Sequence, residues 1–453
     1  MNLNSNFHAI IILLLLPFLL FSNSCTSKNV ISSSKKTNRT PNSATNPKVK
    51  NDTIIYSKSY RENIQTVLLY KKNLDLSEPV IKLNTNESFE FHFDVLDAEF
   101  ETFQYRIIHC NENWTTSDLD EMEYIDGFND NYIEYYKQSF NSLQPYINYS
   151  LEFPNENIKI RKSGNYVIAV YPEDKPKEIL ITHRFYVTEN NIQLESNVKY
   201  PTNLDDKYYK QEIDFNILFA PSLITNPFSN LKVVIEQNHR TDNSCKYLSP
   251  NYAKQDKLIY DYDEENVFEG GNEFRHIDLT TVLNNTDRVA KIYRDKGFYT
   301  CYLYSDNKRT YKRYLEYQDI NGKFLIKTID QNDWHLESEY VNVHFSIPYT
   351  QPFSDGDLFI YGGFSNWNID NRYKMTYNPI TRNYEGSAYL KQGYYNYTYL
   401  FVKDKEKQAK MSTIEGSHFD TENEYTFKIY YSDPGDFYDR LLLYYIVNSR
   451  EGF

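Results

Sequence analysis

Several stretches of the sequence combine residue types that are found in catalytic sites. The stretch DLDEMEYID brings together five carboxylates, namely Asp118, Asp120, Glu121, Glu123 and Asp126. Two carboxylates held at a fixed separation can cleave a glycosidic bond. Acids clustered in one loop are usually solvated, and no block of the size of a catalytic barrel accompanies them. We therefore interpret this stretch as a surface loop, with glycoside hydrolysis as its catalytic alternative.

A second candidate is the adjacent pair His109 and Cys110 in the stretch IIHCNENW. A Cys-His dyad requires the thiol and the imidazole to be in hydrogen-bond contact. Neighbouring residues of a strand point to opposite faces of the sheet. The sequence therefore predicts a buried Cys110 and an outward-facing His109, without a dyad.

Metal-binding patterns are incomplete. DYDEEN, which starts at Asp261, resembles the beginning of a calcium loop, but Asn266 stands at the glycine position and Asn272 at the glutamate position. The sequence has no His-x-x-x-His and no Cys-x-x-Cys spacing for zinc. It also lacks a phosphate-binding glycine loop and a nucleophile elbow. We predict no catalytic residues, no metal, no cofactor and no enzymatic activity.

The stretch YGGFSNW ends at Trp367. A Gly-x-Phe-x-x-Trp run of this kind is similar to a strand end in the sugar-binding modules of starch and glycogen enzymes. We expect Gly362 and Gly363 to form a turn or bulge, and Phe364 and Trp367 to pack under the following strand. The alternative is a glycan-binding lipoprotein in which Trp367 stacks on a sugar.

Composition favours strands over helices. The 453 residues include 44 Tyr and 28 Phe, which suit a half-buried pleated surface. In SFEFHFDVL, the apolar residues Phe89, Phe91, Phe93 and Val95 alternate with polar ones. Short alternating strands separated by turns predict an all-β chain of tandem β-sandwiches. The net charge of −13 argues against nucleic-acid binding, which requires a basic surface.

The N-terminus is predicted to be an export signal. Its apolar run is too short to span a bilayer and ends in a serine followed by Cys25. We expect a signal peptide over residues 1–25 and lipidation of Cys25, although Ser22 occupies the position where leucine is usual. The alternative is cleavage nearby without lipidation. Residues 26–51 carry six basic side chains and no acid, which predicts a flexible tether on the periplasmic side of the outer membrane.

The remaining sequence divides into three blocks of strands. We predict an N-terminal sandwich over residues 52–189, a middle sandwich over 190–330 and a C-terminal sandwich over 331–453. An exported protein can form disulfides. Cys245 and Cys301 are the candidate pair on neighbouring strands.

An ordered set of motifs extends through all three blocks. It includes IQTVLLYKKNLDLSEPV and SGNYVIAVY in the first, NEFRHIDL in the second, and YEGSAYLKQGYYNYTY and EYTFKIYYSDPGDFYDRLLLYY in the third. Over roughly residues 55–450 the chain resembles the plug proteins of the type IX secretion system of Bacteroidota. The resemblance implies periplasmic proteins of immunoglobulin-like or early-set-like sandwiches. It also implies binding to the periplasmic mouth of the outer-membrane translocon barrel, which the plug closes when no substrate passes. It assigns no contact residue.

Overall fold

The structure is a computed structural model that describes residues 53–97, 99–404 and 409–450. The predicted signal peptide, Cys25 and the predicted tether lie outside the described residues. Strands dominate the described residues, and the α-helices there are single turns: α1 Glu121–Tyr124, α2 Pro227–Asn230 and α3 Ser412–Glu415. The predicted all-β class is therefore confirmed. No helix in these ranges has the length and apolar character needed to span a membrane.

The first sandwich contains twelve strands. They are β1 Lys58–Ser59, β2 Ile64–Lys71, β3 Val80–Lys82, β4 Phe89–Leu96, β5 Phe103–Cys110, β6 Ile125–Gly127, β7 Asn131–Tyr132, β8 Tyr135–Gln138, β9 Tyr146–Phe153, β10 Ile158–Ile160, β11 Gly164–Pro172 and β12 Ile181–Thr188. One sheet has the order β1-β12-β11-β5-β7, with β3 added beside β12, and the other has the order β2-β4-β9-β8. Their facing apolar side chains form one buried core.

The middle sandwich begins with seven strands. They are β13 Gln193–Lys199, β14 Lys210–Leu218, β15 Leu231–Gln237, β16 Ser244–Lys246, β17 Tyr252–Ala253, β18 Lys257–Tyr260 and β19 Val267–Glu269. One sheet has the order β13-β14-β18-β17, with β19 beside β14. The second sheet pairs β16 and β15 with strands from much later in the chain.

The third sandwich is built from ten strands. They are β20 Arg275–Asp278, β21 Val289–Asp295, β22 Phe298–Leu303, β23 Phe324–Ile326, β24 Tyr340–Pro348, β25 Gly356–Tyr361, β26 Lys374–Asn378, β27 Asn383–Lys391, β28 Gly393–Lys403 and β29 Ala409–Lys410. They form one sheet in the order β20-β28-β25-β26-β27-β24-β22-β21, with β23 and β29 beside β28. Phe345 on β24 packs against Tyr397 on β28, so both halves of the sheet enclose one core.

The last two strands, β30 Glu424–Tyr431 and β31 Arg440–Asn448, return to the middle sandwich. β30 pairs antiparallel with β15 over its whole length, giving the sheet order β16-β15-β30-β31. Strands from residue 275 onward, up to β29, belong to the third sheet. We predicted that the middle sandwich ends at residue 330 and that the third begins at residue 331. In the structure, the middle sandwich also contains β30 and β31, and β30 lies about 190 residues from its partner β15.

The alternation that predicted the strands also orients their side chains. Phe89, Phe91, Phe93 and Val95 on β4 all lie in the core of the first sandwich, as the pattern indicated. The described residues from 53 to 450 form one compact unit, because each sandwich contacts the other two through buried side chains.

Candidate functional site: junctions between sandwiches and exposed edges

Trp367 lies in the turn that follows β25. Its ring is half-buried and contacts Tyr361 and Phe274, with ring centroids 5.4 and 6.0 Å away. Gly322, at φ +80°, approaches so closely that an added Cβ would be 2.3 Å from the Trp367 ring. The Tyr361 hydroxyl also donates a hydrogen bond to the Trp367 carbonyl, at 2.8 Å. Trp367 packs in this small core, and its contacts do not favour the sugar-stacking alternative.

A cavity of 560 Å³ lies beside this turn, between the first and third sandwiches. Tyr56, Phe364 and Tyr395 contribute aromatic walls to it. Four charged side chains line it, namely Lys58, Asp370, Arg372 and Lys391. Asp370 and Arg372 bind each other at 2.8 Å, and Lys391 contacts Asp94 at 2.7 Å, so these three charges are already paired.

His109 and Cys110 point to opposite faces of β5, so they form no dyad. The prediction of an outward-facing His109 was wrong, because both faces of this sheet are covered. The ring of His109 lies inside the first sandwich beside Tyr166, and burial lowers its pKa to about 4. Cys110 faces the middle sandwich, and burial raises its pKa to about 12. A neutral imidazole and a protonated thiol do not supply nucleophilic chemistry.

The predicted acidic stretch does not converge on a cleft. Glu121 and Glu123 are exposed and lie in the single turn of α1. The Asp120 backbone N–H donates a hydrogen bond to Oε2 of Glu123 at 2.7 Å, which is part of a helix capping box. Asp126 lies 3.0 Å from the Arg161 guanidinium. These carboxylates stabilise local structure and remain in contact with solvent.

Asn266 and Asn272, which stand at the glycine and glutamate positions of the calcium-loop pattern, make structural hydrogen bonds. Asn266 is buried, and its Nδ2 donates a hydrogen bond to the Ile213 carbonyl at 2.6 Å. Nδ2 of Asn272 donates to the Glu415 carbonyl at 2.9 Å. Across the described residues, no group of three or more His, Cys, Asp or Glu side chains is placed to hold a metal ion.

The candidate disulfide does not form. Cys245 lies on β16 of the middle sandwich, whereas Cys301 lies on β22 of the third. Both thiols are free, as is Cys110. The two strands are in different sheets because the predicted middle block contributes strands to two sandwiches.

Sequence reasoning missed a buried ion network inside the third sandwich. Arg275, in the motif NEFRHIDL, lies 2.8 Å from Asp306 and 2.9 Å from Glu415. Arg309 also contacts Glu415, at 2.7 Å. Although burial opposes ionisation, the two guanidinium groups lower the pKa of Glu415 to about 2. These buried carboxylates are saturated by arginine, so they are stabilising groups and not a glycosidase pair.

A second buried ion pair joins the first and third sandwiches. Asp94 on β4 contacts Nζ of Lys391 on β27 at 2.7 Å, and their side chains are 1% and 2% exposed. The Tyr340 hydroxyl donates to Oδ2 of Asp94 at 2.7 Å, and Nδ2 of Asn148 donates to Oδ1 at 2.8 Å. We call the Asp94–Lys391 pair and its hydrogen-bond partners the first–third junction. It fixes two sandwiches through a fully paired buried charge.

Two histidines stack at the same junction. The ring centroids of His92 and His335 lie 4.1 Å apart, and the His335 carbonyl accepts a hydrogen bond from Lys391 at 2.8 Å. Burial lowers the pKa of His92 to about 4. Burial and the neighbouring His92 lower the pKa of His335 to about 3. Both rings are therefore neutral at neutral pH.

All three sandwiches meet at a cluster of four ionisable side chains. Glu78 comes from the first sandwich, His239 and Glu424 from the middle one, and Lys323 from the third. Nζ of Lys323 lies 3.1 Å from Glu424 and 3.5 Å from Glu78, while Nε2 of His239 lies 2.7 Å from Glu424. We call these four residues the three-way cluster. It borders a cavity of 190 Å³ and keeps partial contact with solvent.

The first and middle sandwiches meet through an apolar contact. Trp114, Val167 and Tyr186 of the first sandwich pack against Val234, Tyr430 and Leu441 of the middle one. The Tyr430 hydroxyl donates to Oδ1 of Asn165 at 2.8 Å. Each of the three pairs of sandwiches is thus joined by direct side-chain contacts.

One lateral side of the first sandwich is open. Residues 118–138, which we call the acidic aromatic edge, run from the end of one sheet to the end of the other through β7 and β8. This segment has seven carboxylates and one lysine. Met122 and Phe128 are 84% and 83% exposed, and Tyr135 is also exposed. Exposed apolar side chains at two unpaired sheet edges favour contact with another protein.

The comparisons with known proteins agree with this architecture. Residues 64–189, which lie within the first sandwich, match the family described as "Type 9 secretion system plug protein 1st domain". The chain is also similar to a hypothetical protein from Parabacteroides merdae ATCC 43184, whose crystal structure shares 33% sequence identity and a TM-score of 0.85. That match covers 87% of this chain and 100% of the other. No curated protein matches the chain.

The fold and this match define an all-β protein associated with secretion. The chain belongs to the plug protein family of the type IX secretion system. This family implies a periplasmic or envelope-associated location in Bacteroidota and an association with the secretion machinery.

Proposed function

We propose that the chain is a non-enzymatic periplasmic plug for the type IX secretion pore. It binds the periplasmic mouth of the outer-membrane translocon barrel and closes the pore when no substrate passes. The observation that carries this proposal is the family match of the first sandwich, which belongs to a body locked at three junctions. A plug must resist deformation, and buried charge pairs between sandwiches resist separation because each partner would be left uncompensated.

The acidic aromatic edge supplies the contact surface in this proposal. It lies in the sandwich that matches the family and exposes Phe128 and Tyr135 among carboxylates. Aromatic side chains provide large contact area at interfaces, and complementary charge selects the partner. The corresponding rim of the translocon would therefore carry basic residues around apolar ones.

Lipidation of Cys25 would hold this body at the periplasmic face of the outer membrane. One acyl-modified cysteine with a basic tether combines two membrane signals, and two signals are needed for stable anchoring. Replacing Cys25 by serine should release the protein from the membrane fraction into the soluble periplasm. Retention of Cys25→Ser in the membrane fraction of cells that lack the translocon would contradict the lipid anchor.

The test of the plug is copurification and permeability in a bacterium with an intact type IX system. The tagged wild-type chain should recover the translocon barrel, identified by mass, and deletion of its gene should make the outer membrane leaky to large antibiotics. Unchanged permeability together with no recovered translocon would overturn the proposed function.

The contact surface is tested by a pair of double variants. Phe128→Ser with Tyr135→Ser should reduce recovery of the translocon. Phe437→Ser with Tyr252→Ser changes two side chains of similar exposure on the middle sandwich and should not. Equal recovery with both double variants would move the contact surface away from the acidic aromatic edge without overturning the plug.

A further inference from the structure

The last strand, β31, forms one edge of a sheet in the middle sandwich. It pairs with β30 on one side, in the order β16-β15-β30-β31. The Ser449 backbone N–H donates to the directly opposite Asn423 carbonyl at 2.8 Å. Antiparallel strands alternate between residues that bond across the pair and residues that bond away from it. Tyr444, Ile446 and Asn448 therefore direct their backbone N–H and C=O groups away from β30.

The linker between the first and middle sandwiches covers the beginning of this outer edge. The Glu189 backbone N–H donates to the Leu441 carbonyl at 2.9 Å, and that of Asn191 donates to the Leu442 carbonyl at 3.3 Å. The linker then continues into β13, which belongs to the facing sheet. Within the described ranges, no hydrogen bond reaches the outward backbone groups of residues 444–448. The chain thus begins to add a strand at this edge and leaves the rest of the edge unpaired.

The unpaired part of β31 lacks the features by which proteins usually prevent strand addition. Edge strands are normally protected by charged side chains, proline or bulges. Lys137 on β8 and Lys291 on β21 are charges of this kind. In contrast, β31 has no charged residue and no proline from Leu441 to Asn448, and its register shift lies before the unpaired part.

Apolar side chains lie beside these unpaired backbone groups. Leu443 and Val447 pack in or against the core of the middle sandwich, so Tyr445, which lies between them, points to the same face of the sheet. Tyr445 is nevertheless 48% exposed. Leu194, on the adjoining edge strand β13, is also only partly buried. The sandwich is therefore open along this side, and an apolar side chain that entered it would be buried.

We propose that the unpaired edge of β31 binds an extended segment of another protein by strand addition. Main-chain hydrogen bonds to Tyr444, Ile446 and Asn448 would supply affinity, and alternate side chains of the segment would enter the opening beside Tyr445. Because this opening is lined by apolar groups, the segment has uncharged residues at the entering positions. β-Branched and aromatic residues suit both the extended backbone and this environment.

Two other occupants fit this edge less well. The predicted tether, residues 26–51, carries six basic side chains and two prolines, which suit neither an uncharged edge nor a paired strand. A second copy would bring together two chains that each have a net charge of −13, and like charge opposes self-association. A segment of another protein meets neither difficulty.

This inference goes beyond the proposed function, because β31 belongs to the middle sandwich and strand addition there requires no translocon. The acidic aromatic edge, which is proposed to contact the translocon, lies in the first sandwich. The two surfaces can therefore act separately, and the chain would hold a second protein while it contacts the pore.

The test measures the fluorescence anisotropy of a labelled peptide titrated with the exported full-length chain, in its Cys25→Ser form so that no lipid anchor contributes. The probe is a short peptide that alternates threonine and valine between two terminal lysines. The comparison peptide has prolines at its central threonine positions and cannot form a continuous strand. We expect saturable binding of the first peptide only, with slower hydrogen exchange in β31 when it is bound. Equal binding of both peptides, or no binding of either, would overturn the inference.

Two variants assign the binding to β31. Ile446→Pro removes an outward N–H without removing a bond to β30, and it should weaken the peptide affinity about 10-fold. Tyr445→Lys leaves the backbone unchanged but places a charge at the opening, so it should also weaken the affinity. The second variant decides the question if the proline variant folds poorly. Unchanged affinity in Tyr445→Lys would overturn the inference.

The matched controls lie on β17, at the opposite edge of the same sandwich. The Lys254 backbone N–H donates to the directly opposite Lys257 carbonyl at 2.8 Å, so the preceding residue, Ala253, directs its N–H away from β18. Ala253→Pro and Tyr252→Lys should leave the peptide affinity near that of the starting protein. A loss equal to that of the β31 variants would contradict the assignment to β31.

Light scattering tests the second copy as the occupant. The starting protein should be a monomer in the absence of peptide, which supports a partner of another kind. A dimer that becomes monomeric in Ile446→Pro would instead assign the edge to a second copy of this chain and overturn the inference.

Discussion

The first–third junction and the three-way cluster both join sandwiches through charged side chains, but they differ in their contact with water. Asp94 and Lys391 are almost completely buried, at 1% and 2% exposure. In the three-way cluster, Lys323 and Glu424 remain 20% and 22% exposed. A buried charge has lost its hydration and depends on its partner, whereas a partly exposed one is still stabilised by solvent.

This difference predicts at which site the protein loses more stability when one charged partner is removed. At the first–third junction, the loss of one partner leaves the other charged and without water. At the three-way cluster, water from the adjoining cavity can replace a lost partner, and Lys323 and the His239 ring share two carboxylates. Variants of the two sites should therefore lose different amounts of unfolding free energy, although the distances between the paired charges are similar at both sites.

The largest expected effect is that of Lys391→Met. Asp94 would remain buried without its cation, which costs about 3–5 kcal/mol of unfolding free energy. Urea denaturation should show a separate early transition as the first and third sandwiches disengage. Adding Asp94→Asn to Lys391→Met should restore part of the loss, because no uncompensated charge remains. A cost below about 1 kcal/mol for Lys391→Met would show that water reaches this site.

The next effect is a pH dependence that differs between the two sites. His92 has a folded pKa of about 4, below the ordinary value of 6.5, so the unfolded chain binds more protons in this interval. Stability is therefore highest above pH 6.5 and falls as the pH drops towards 4, by about 3 kcal/mol for His92 alone. The titratable groups facing this ring are Tyr70, His335, Asp94 and Lys391.

Glu424 of the three-way cluster responds in a lower pH range. Its folded pKa is about 2 against an ordinary 4.5, because His239 and Lys323 outweigh its burial. Its contribution is complete above pH 4.5 and is lost as the pH falls towards 2. As the pH is lowered, the free energy of unfolding should thus fall first because the histidines become protonated. His92→Gln with His335→Gln should flatten the part between pH 6.5 and 4, and an unchanged slope there would contradict this assignment.

The sequence predicted the elements better than their long-range pairing. Alternation placed Phe91 and Phe93 in the core, since a strand with one covered face requires that period. The same rule treated Asp94 as an outward polar residue, yet its outward face is covered by Lys391, about 300 residues away in the chain. No local pattern encodes which distant sheet will cover a face.

Predictions about candidate site residues were limited for the same reason, because distant parts of the chain cover their side chains. His109 was predicted to face outward, but Tyr438 of the C-terminal region covers its ring. The pairing of β30 with β15 was not visible because both strands have ordinary alternation. Trp367 was expected to pack under the following strand, and its ring lies against Tyr361 of the preceding strand and Phe274. Local chemistry was predictable, whereas contacts between sandwiches were not.

A smaller change at the first–third junction is Tyr340→Phe. It removes one of the hydrogen bonds to the Asp94 carboxylate but leaves Lys391 and Asn148 in place. Loss of a bond to a charged group costs about 2 kcal/mol. Thermal denaturation of this variant should show a lower midpoint with no separate early transition. An effect as large as that of Lys391→Met would mean that hydrogen bonding, and not ion pairing, holds the junction.

The smallest effect is expected for Lys323→Met in the three-way cluster. Glu78 and Glu424 keep His239 as a neighbour and retain access to water, so the cost should be about 1–2 kcal/mol. The variant also removes the ammonium group that helps to lower the pKa of Glu424, so that pKa should rise towards its ordinary value. The acid-induced loss of stability between pH 4.5 and 2 should then shrink relative to the starting protein. If Lys323→Met instead cost as much as Lys391→Met, solvent contact would not explain the difference between the two sites. The number of sandwiches that meet at each charge would then have to explain it.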